Sequence, residues 1–154
     1  FTTRAAQTPL TEWRQQYFGD EADNESIAGH HADPDGDGVI NLFEYATGGH
    51  PLTADPNRVT TLTRDVDGES YLAIRFPMRP SDAALTYTVQ FSTDLQTWHD
   101  GSTYSGDTAT PDTPHTVEEE QTNGGELRWI SVRTTQPCSA GPCFLRLRIT
   151  ISPE

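Results

Sequence analysis

The run Asp33-Pro34-Asp35-Gly36-Asp37-Gly38-Val39-Ile40-Asn41-Leu42-Phe43-Glu44 constrains this chain more than any other stretch. Its spacing matches a calcium-coordinating loop at every diagnostic position. Carboxylates stand at positions one, three and five (Asp33, Asp35, Asp37), Gly38 sits at six where the backbone turns sharply, and Val39 offers its carbonyl at seven. Asn41 acts at nine, directly or through water, and Glu44 at twelve can bind with both oxygens. Crowding gives the physical reason for a cation, because four carboxylates in so short a run repel one another without one. Ile40 fills position eight with an apolar side chain. The alternative reading is a solvated acidic Asp-Gly turn, which leaves the placement of Asn41 and Glu44 to chance.

The flanks of this loop are short. Pro9-Leu10-Thr11 opens a helix with Thr11 as N-cap and Glu12 in the first turn. Trp13, Tyr17 and Phe18 give it one aromatic face, read as a core anchor, and Gly19 stops it. Residues 20–32 read as an acidic and polar loop that detaches this helix from the calcium loop. Within it Asn24-Glu25-Ser26 matches a glycosylation sequon, and His30-His31 read as an exposed pair. Residues 41–47 are helical, ended by Gly48-Gly49 and kept from resuming by Pro51. There is one such loop, whereas ordinary EF-hands work in pairs joined through position eight. The ion is therefore expected to clamp a small helical cap rather than to sense calcium.

From residue 59 the hydrophobic period changes to two. Residues 59–64 read as a first strand, Asp65-Val66-Asp67-Gly68 as its turn and residues 71–76 as a second strand with Leu72, Ile74 and Phe76 on one face. Asp65, Asp67 and Glu69 read as hairpin acids, with a second cation site as the alternative. Residues 85–91 alternate cleanly, and residues 101–113, rich in Gly, Ser, Thr, Asp and Pro, read as a long loop. Residues 117–121 carry three glutamates and read as a charged edge strand. Strands follow at 126–134, containing Trp129, and at 144–151. Six or seven strands and no long helix predict a mainly β chain. The expected fold is an antiparallel β-sandwich with a small N-terminal α-helical calcium-binding cap. The expected organisation is an extended arm over 1–9, a helical calcium-binding subdomain over 10–52 and a sandwich over 57–152.

The formal net charge of −13 sets the partners the chain can take. Nucleic acid needs a basic stripe, so it is excluded as an expected partner, and anionic membrane surfaces are disfavoured for the same reason. No apolar run approaches the ~20 residues of a membrane span, so no membrane insertion is expected. All ten basic residues are arginine. Cys138 and Cys143 flank Ser139-Ala140-Gly141-Pro142, a tight loop that a disulfide would close, since zinc needs more Cys or His nearby. A disulfide, and a chain beginning at Phe1 rather than Met, lead to the expectation of a processed protein in an oxidising, extracellular compartment.

Three pieces together resemble a known module. They are Trp13…Tyr17-Phe18-Gly19, the loop with its Glu44-Tyr45-Ala46…Gly48 continuation, and Phe91-Ser92-Thr93-Asp94-Leu95…Trp98 with a closing Phe144-Leu145-Arg146-Leu147-Arg148. The chain is similar to the calcium-loop plus β-sandwich modules near the C-termini of large secreted proteins of verrucomicrobial and planctomycete bacteria. The loop alone is similar to half of a dockerin, but dockerins carry two loops. The resemblance covers residues 10–151 and implies a secreted, cell-surface, non-catalytic role.

Catalytic signatures are missing: no nucleophile elbow, phosphate loop or zinc motif occurs in the sequence, and the concentrated carboxylates belong to the loop. The leading expectation is a non-catalytic, calcium-stabilised structural or adhesive surface module. It would assemble with other copies into a filament through its termini, the N-terminal arm adding to a neighbour's strand edge. The alternative is a carbohydrate-binding accessory module of a secreted polysaccharide-degrading system. In that reading Trp98, Tyr104 and Trp129 stack on sugar rings of a cell-surface or extracellular polysaccharide.

Overall fold

A computed structural model describes residues 8–54 and 58–152. The expected arm lies outside the described residues up to position 7. The chain divides into two compact units, residues 1–45 with 49–56, and residues 46–48 with 57–154.

The first unit opens with α1 (Pro9–Phe18). Its cap is Thr8 rather than Thr11: Thr8 Oγ1 accepts the Thr11 N–H at 3.2 Å, and Pro9 takes the first helical position. Proline fits there because the first helical N–H has no intrahelical partner to lose. The aromatic face is a core anchor as expected. Trp13 is buried, with Tyr17 at 5.3 Å, Phe18 at 6.1 Å and Tyr45 at 5.5 Å between ring centroids. Residues 20–32 are not a continuous loop. A 3-10 turn (Gly19–Glu21) leads to a one-turn helix α2 (Glu25–Ala28). Asn24 caps α2, its Oδ1 accepting both the N–H (3.1 Å) and the hydroxyl (2.7 Å) of Ser26. Helix α3 (Asn41–Thr47) falls where the sequence puts it. The Gly49 N–H closes its end on the Glu44 carbonyl at 2.7 Å.

The second unit is a β-sandwich of two four-stranded antiparallel sheets. Sheet A has the order β1 (Thr60–Val66), β2 (Glu69–Met78), β7 (Leu127–Thr134), β6 (Thr116–Gly124). Sheet B has the order β5 (Thr108–Thr110), β4 (His99–Ser105), β3 (Leu85–Ser92), β8 (Phe144–Ile151). Period-two patterning explains the core between them. Ile74, Phe76, Met78, Ile130 and Val132 come from sheet A, and Leu85, Tyr87, Val89, Phe91, Tyr104, Leu147 and Ile149 from sheet B, all buried. Phe76 meets Tyr87 and Tyr104 at centroid distances of 6.1 Å each.

Among the described residues eight strands form where six or seven are expected. The additional ones, β4 and β5, occupy the stretch that reads as a loop. The inner positions of β4 are buried although β5 is exposed. Ser102 and Thr116 are fully buried, and Thr116 Oγ1 accepts the Ser102 N–H at 2.7 Å while the two hydroxyls meet at 2.8 Å. The β1–β2 turn is tighter than expected, a two-residue turn at Asp67 and Gly68 with φ of 52° and 85°, so Val66 already pairs with Glu69.

The expected disulfide does not form; Cys138 and Cys143 are free thiols. The loop begins with a 3-10 turn (Cys138–Ala140), held by Ala140 N–H to the Pro137 carbonyl (3.0 Å) and Gly141 N–H to the Cys138 carbonyl (3.3 Å). Burial pushes the Cys143 thiol up, and the Cys138 thiol beside it adds to the shift.

On the outer face of sheet A, Arg64 of β1 reaches Glu119 of β6 (3.3 Å), which also accepts from the Ser131 hydroxyl (3.0 Å). Ala73 and Ser131, small residues of the two central strands, are buried at 0% and 3% exposure.

Candidate metal centre

The loop folds on its own side chains. Gly36 and Gly38 have φ of 68° and 88°, a left-handed backbone that a residue with Cβ resists, which is why glycines flank Asp37. Three short bonds then fix the acids. Asp33 Oδ2 accepts the Gly38 N–H at 2.9 Å, Asp35 Oδ1 the Asp37 N–H at 3.2 Å and Asp37 Oδ1 the Val39 N–H at 2.8 Å. The base of the loop is tied by Asn41 N–H to the Ala32 carbonyl (2.9 Å) and Leu42 N–H to the His30 carbonyl (3.0 Å).

Each bond consumes one carboxylate oxygen of its acid. Ligand oxygens of the half-buried Asp33, Asp35 and Asp37 lie within 4.8 Å of one another. Asp33 Oδ1 and Asp35 Oδ2 are shielded from solvent and accept no hydrogen bond, and the same holds for Asn41 Oδ1. Asn41 and Glu44 are each 2% exposed. Partial burial raises the Asp35 carboxyl above its usual range, and the adjoining Asp33 and Asp37 carboxyls raise it further, against the lowering by the Asp37 N–H. Solvent-excluded oxygens without donors cost stability unless something electropositive meets them. The donor set is all oxygen, which suits a hard cation of the calcium type over zinc or copper.

Among the described residues this triplet is the one place where three or more His, Cys, Asp or Glu ligand atoms converge. No such group forms at Asp65, Asp67 and Glu69; Asp65 instead accepts the Ser70 hydroxyl at 2.7 Å. His30 and His31 line an open recess of about 400 Å³ with Glu25, Ser26, Gly29 and Ala32.

The three expected sugar-stacking rings do not share a face. Tyr104 is buried at 2% exposure, its hydroxyl donating to Glu118 Oε1 at 2.8 Å. Trp129 lies on β7 with the Arg75 guanidinium over its ring at 4.6 Å. Trp98 precedes β4 and carries Arg146 over its ring at 4.0 Å. Each half-exposed indole therefore already has a cation on it.

Sequence reasoning missed α2 and the second use of Asn41, whose Nδ2 donates to the Ile27 and Gly29 carbonyls at 2.8 and 3.0 Å. The available signal was Asn24 followed by Glu25, an N-cap with an acid in the first turn. Comparison with protein-family models, curated protein sequences and solved structures gave no match to this chain.

Proposed function

We propose that this chain is a non-catalytic, calcium-stabilised structural module of an extracellular surface, assembling with further copies of itself. The observation that carries the calcium part is the set of solvent-excluded oxygens of Asp33, Asp35 and Asn41 that accept no hydrogen bond. Asp37, the Val39 carbonyl and Glu44 complete the ligand set by position. The cation offsets the mutual repulsion of the acids, and its binding free energy adds to the stability of the first unit. The likeness to secreted bacterial modules supports the surface role. Assembly is supported by the rim of sheet B. Strand β8 pairs along eight residues with β3 on one side, without a bulge, and with no strand on the other among the described residues. Such an edge accepts an added strand.

The test is thermal melting of metal-free protein with calcium titrated in. Calcium at one hundred times its dissociation constant adds about 2.7 kcal/mol, and Asp33→Ala or Asp37→Ala removes the gain. A melting temperature indifferent to both calcium and chelator refutes the reading. Electron microscopy of the same samples decides assembly: filaments or larger oligomers support it, and a monomer at all concentrations refutes that part.

A further inference from the structure

We infer that Asn41 is a direct ligand of the ion in this loop, and that it makes ion binding and the folding of α2 a single event. The inference rests on the calcium reading of the loop and concerns how position nine works. In loops of this spacing position nine acts directly or through a water.

The side-chain amide of Asn41 has two donors and one acceptor oxygen. Both donors are spent on one neighbour, Nδ2 giving to the Ile27 carbonyl at 2.8 Å and to the Gly29 carbonyl at 3.0 Å. Those contacts fix which end is nitrogen, because the reversed amide would press its oxygen against two carbonyls. An amide is planar, so with Nδ2 committed to the end of α2, Oδ1 faces away from it. That oxygen is solvent-excluded and accepts no hydrogen bond. The residue as a whole is 2% exposed, and its backbone N–H is held by the Ala32 carbonyl at 2.9 Å. A buried amide oxygen without a donor is rare in a folded protein and demands an explanation. A cation coordinated by the loop is the explanation consistent with Asp33 Oδ1 and Asp35 Oδ2 being in the same condition.

The coupling follows from the length of α2. Four residues make one turn, which does not hold by itself in water. Its C-terminal carbonyls need donors from elsewhere, and Asn41 supplies one to Ile27 and another to the capping Gly29, whose carbonyl also accepts the Ala32 N–H at 3.2 Å. A cation on Oδ1 polarises the amide and strengthens both N–H donors. Losing the ion weakens the bonds that keep residues 25–29 helical. Thus α2 replaces the helix that ordinarily runs into such a loop, joined to it through a side chain rather than through continuous backbone.

The experiment pairs calorimetric calcium titration with amide hydrogen exchange on wild type, Asn41→Asp and Asn41→Ala, circular dichroism confirming that each is folded. In the wild type, calcium slows exchange at the Ile27, Ala28 and Gly29 amides, which bond within α2. Asn41→Ala binds calcium about 10-fold or more weakly and loses that protection. Asn41→Asp keeps a ligand oxygen and lacks both donors, so it binds calcium without protecting residues 27–29. Wild-type affinity in Asn41→Ala overturns direct ligation, and wild-type protection in Asn41→Asp overturns the coupling. Failure of the folded wild type to bind calcium at all is a different result and removes the calcium reading itself.

Discussion

The phenol of Tyr87 donates to the Ala46 carbonyl at 2.5 Å and accepts the Arg79 N–H at 3.0 Å, with its ring fully buried in the sandwich core. Ala46 lies in the last turn of α3, where carbonyls have no helical N–H to meet. One hydroxyl on the cleanest strand of the chain thus supplies a donor that helix geometry cannot.

Tyr87→Phe keeps the ring and removes the oxygen. It leaves the Ala46 carbonyl without this donor and costs about 2 kcal/mol, read as a lower midpoint in urea with unchanged slope. A midpoint equal to wild type would show that water replaces the phenol freely.

Alkaline sensitivity follows from the same residue and Tyr104. Burial raises the Tyr87 phenol well above its ordinary value. Burial raises Tyr104 too, and its bond to Glu118 raises it further. Both groups are neutral when protonated, so the folded state holds their protons to higher pH than the unfolded chain does. Their contribution is fully present below the unfolded value, about 10, and drains away as pH rises beyond it, since the native state then binds more protons than the unfolded one. Titration at the phenolate absorbance should show these two rings ionising only together with loss of near-ultraviolet circular dichroism. Complete, reversible ionisation of every tyrosine with the fold intact would contradict this.

Gly101 tests the polar core of sheet B. A Cβ built there lies 2.4 Å from Thr116 Oγ1 and 2.9 Å from the Val89 carbonyl oxygen. Gly101→Ala forces the Ser102–Thr116 pair apart and costs about 3 kcal/mol. Gly125→Ala is the control, because nothing lies within 4 Å of its Cβ and only its φ of 82° opposes the change. Equal losses at the two positions would mean that crowding at Gly101 is relieved.

Acid should loosen the β3–β4 turn. The N–H groups of Thr97 and Gln96, both at 2.8 Å, hold the Asp94 carboxyl below its usual range, and the Ser92 hydroxyl assists at 3.1 Å. These bonds flank Leu95, which sits at φ 63° and is 58% exposed. A depressed carboxyl stabilises the fold above the unfolded value, about 3.9, and the effect is lost as pH falls through the lower folded value. The melting-temperature gap between wild type and Asp94→Ala should be constant near neutrality and narrow in strong acid. A gap that does not narrow would assign the turn to its backbone alone.

What was legible in the sequence depended on which interactions shape a segment. Residues 85–91 and 144–151 alternate apolar and polar side chains, so burial alone reports them, and the structure places β3 and β8 there. The acids and glycines of residues 33–44 were equally legible, since their order follows from local turns within the loop. Strand β4 was not, because Gly101 and Ser102 have loop composition and become core only by meeting Thr116, distant in the chain. Helix α2 was hidden for a similar reason: its carbonyl partner is Asn41, which pattern reading had assigned to the ion. For the cysteines, proximity was inferred correctly, the two thiols lying side by side, and bonding was not.

Arg64 and Glu119 belong to the first and last strands of sheet A, so their bond runs across the full width of the sheet, and Glu119 also holds the Ser131 hydroxyl of the strand beside it. It acts as a tie-beam. A strand peeled from either rim must break this tie as well as its own ladder.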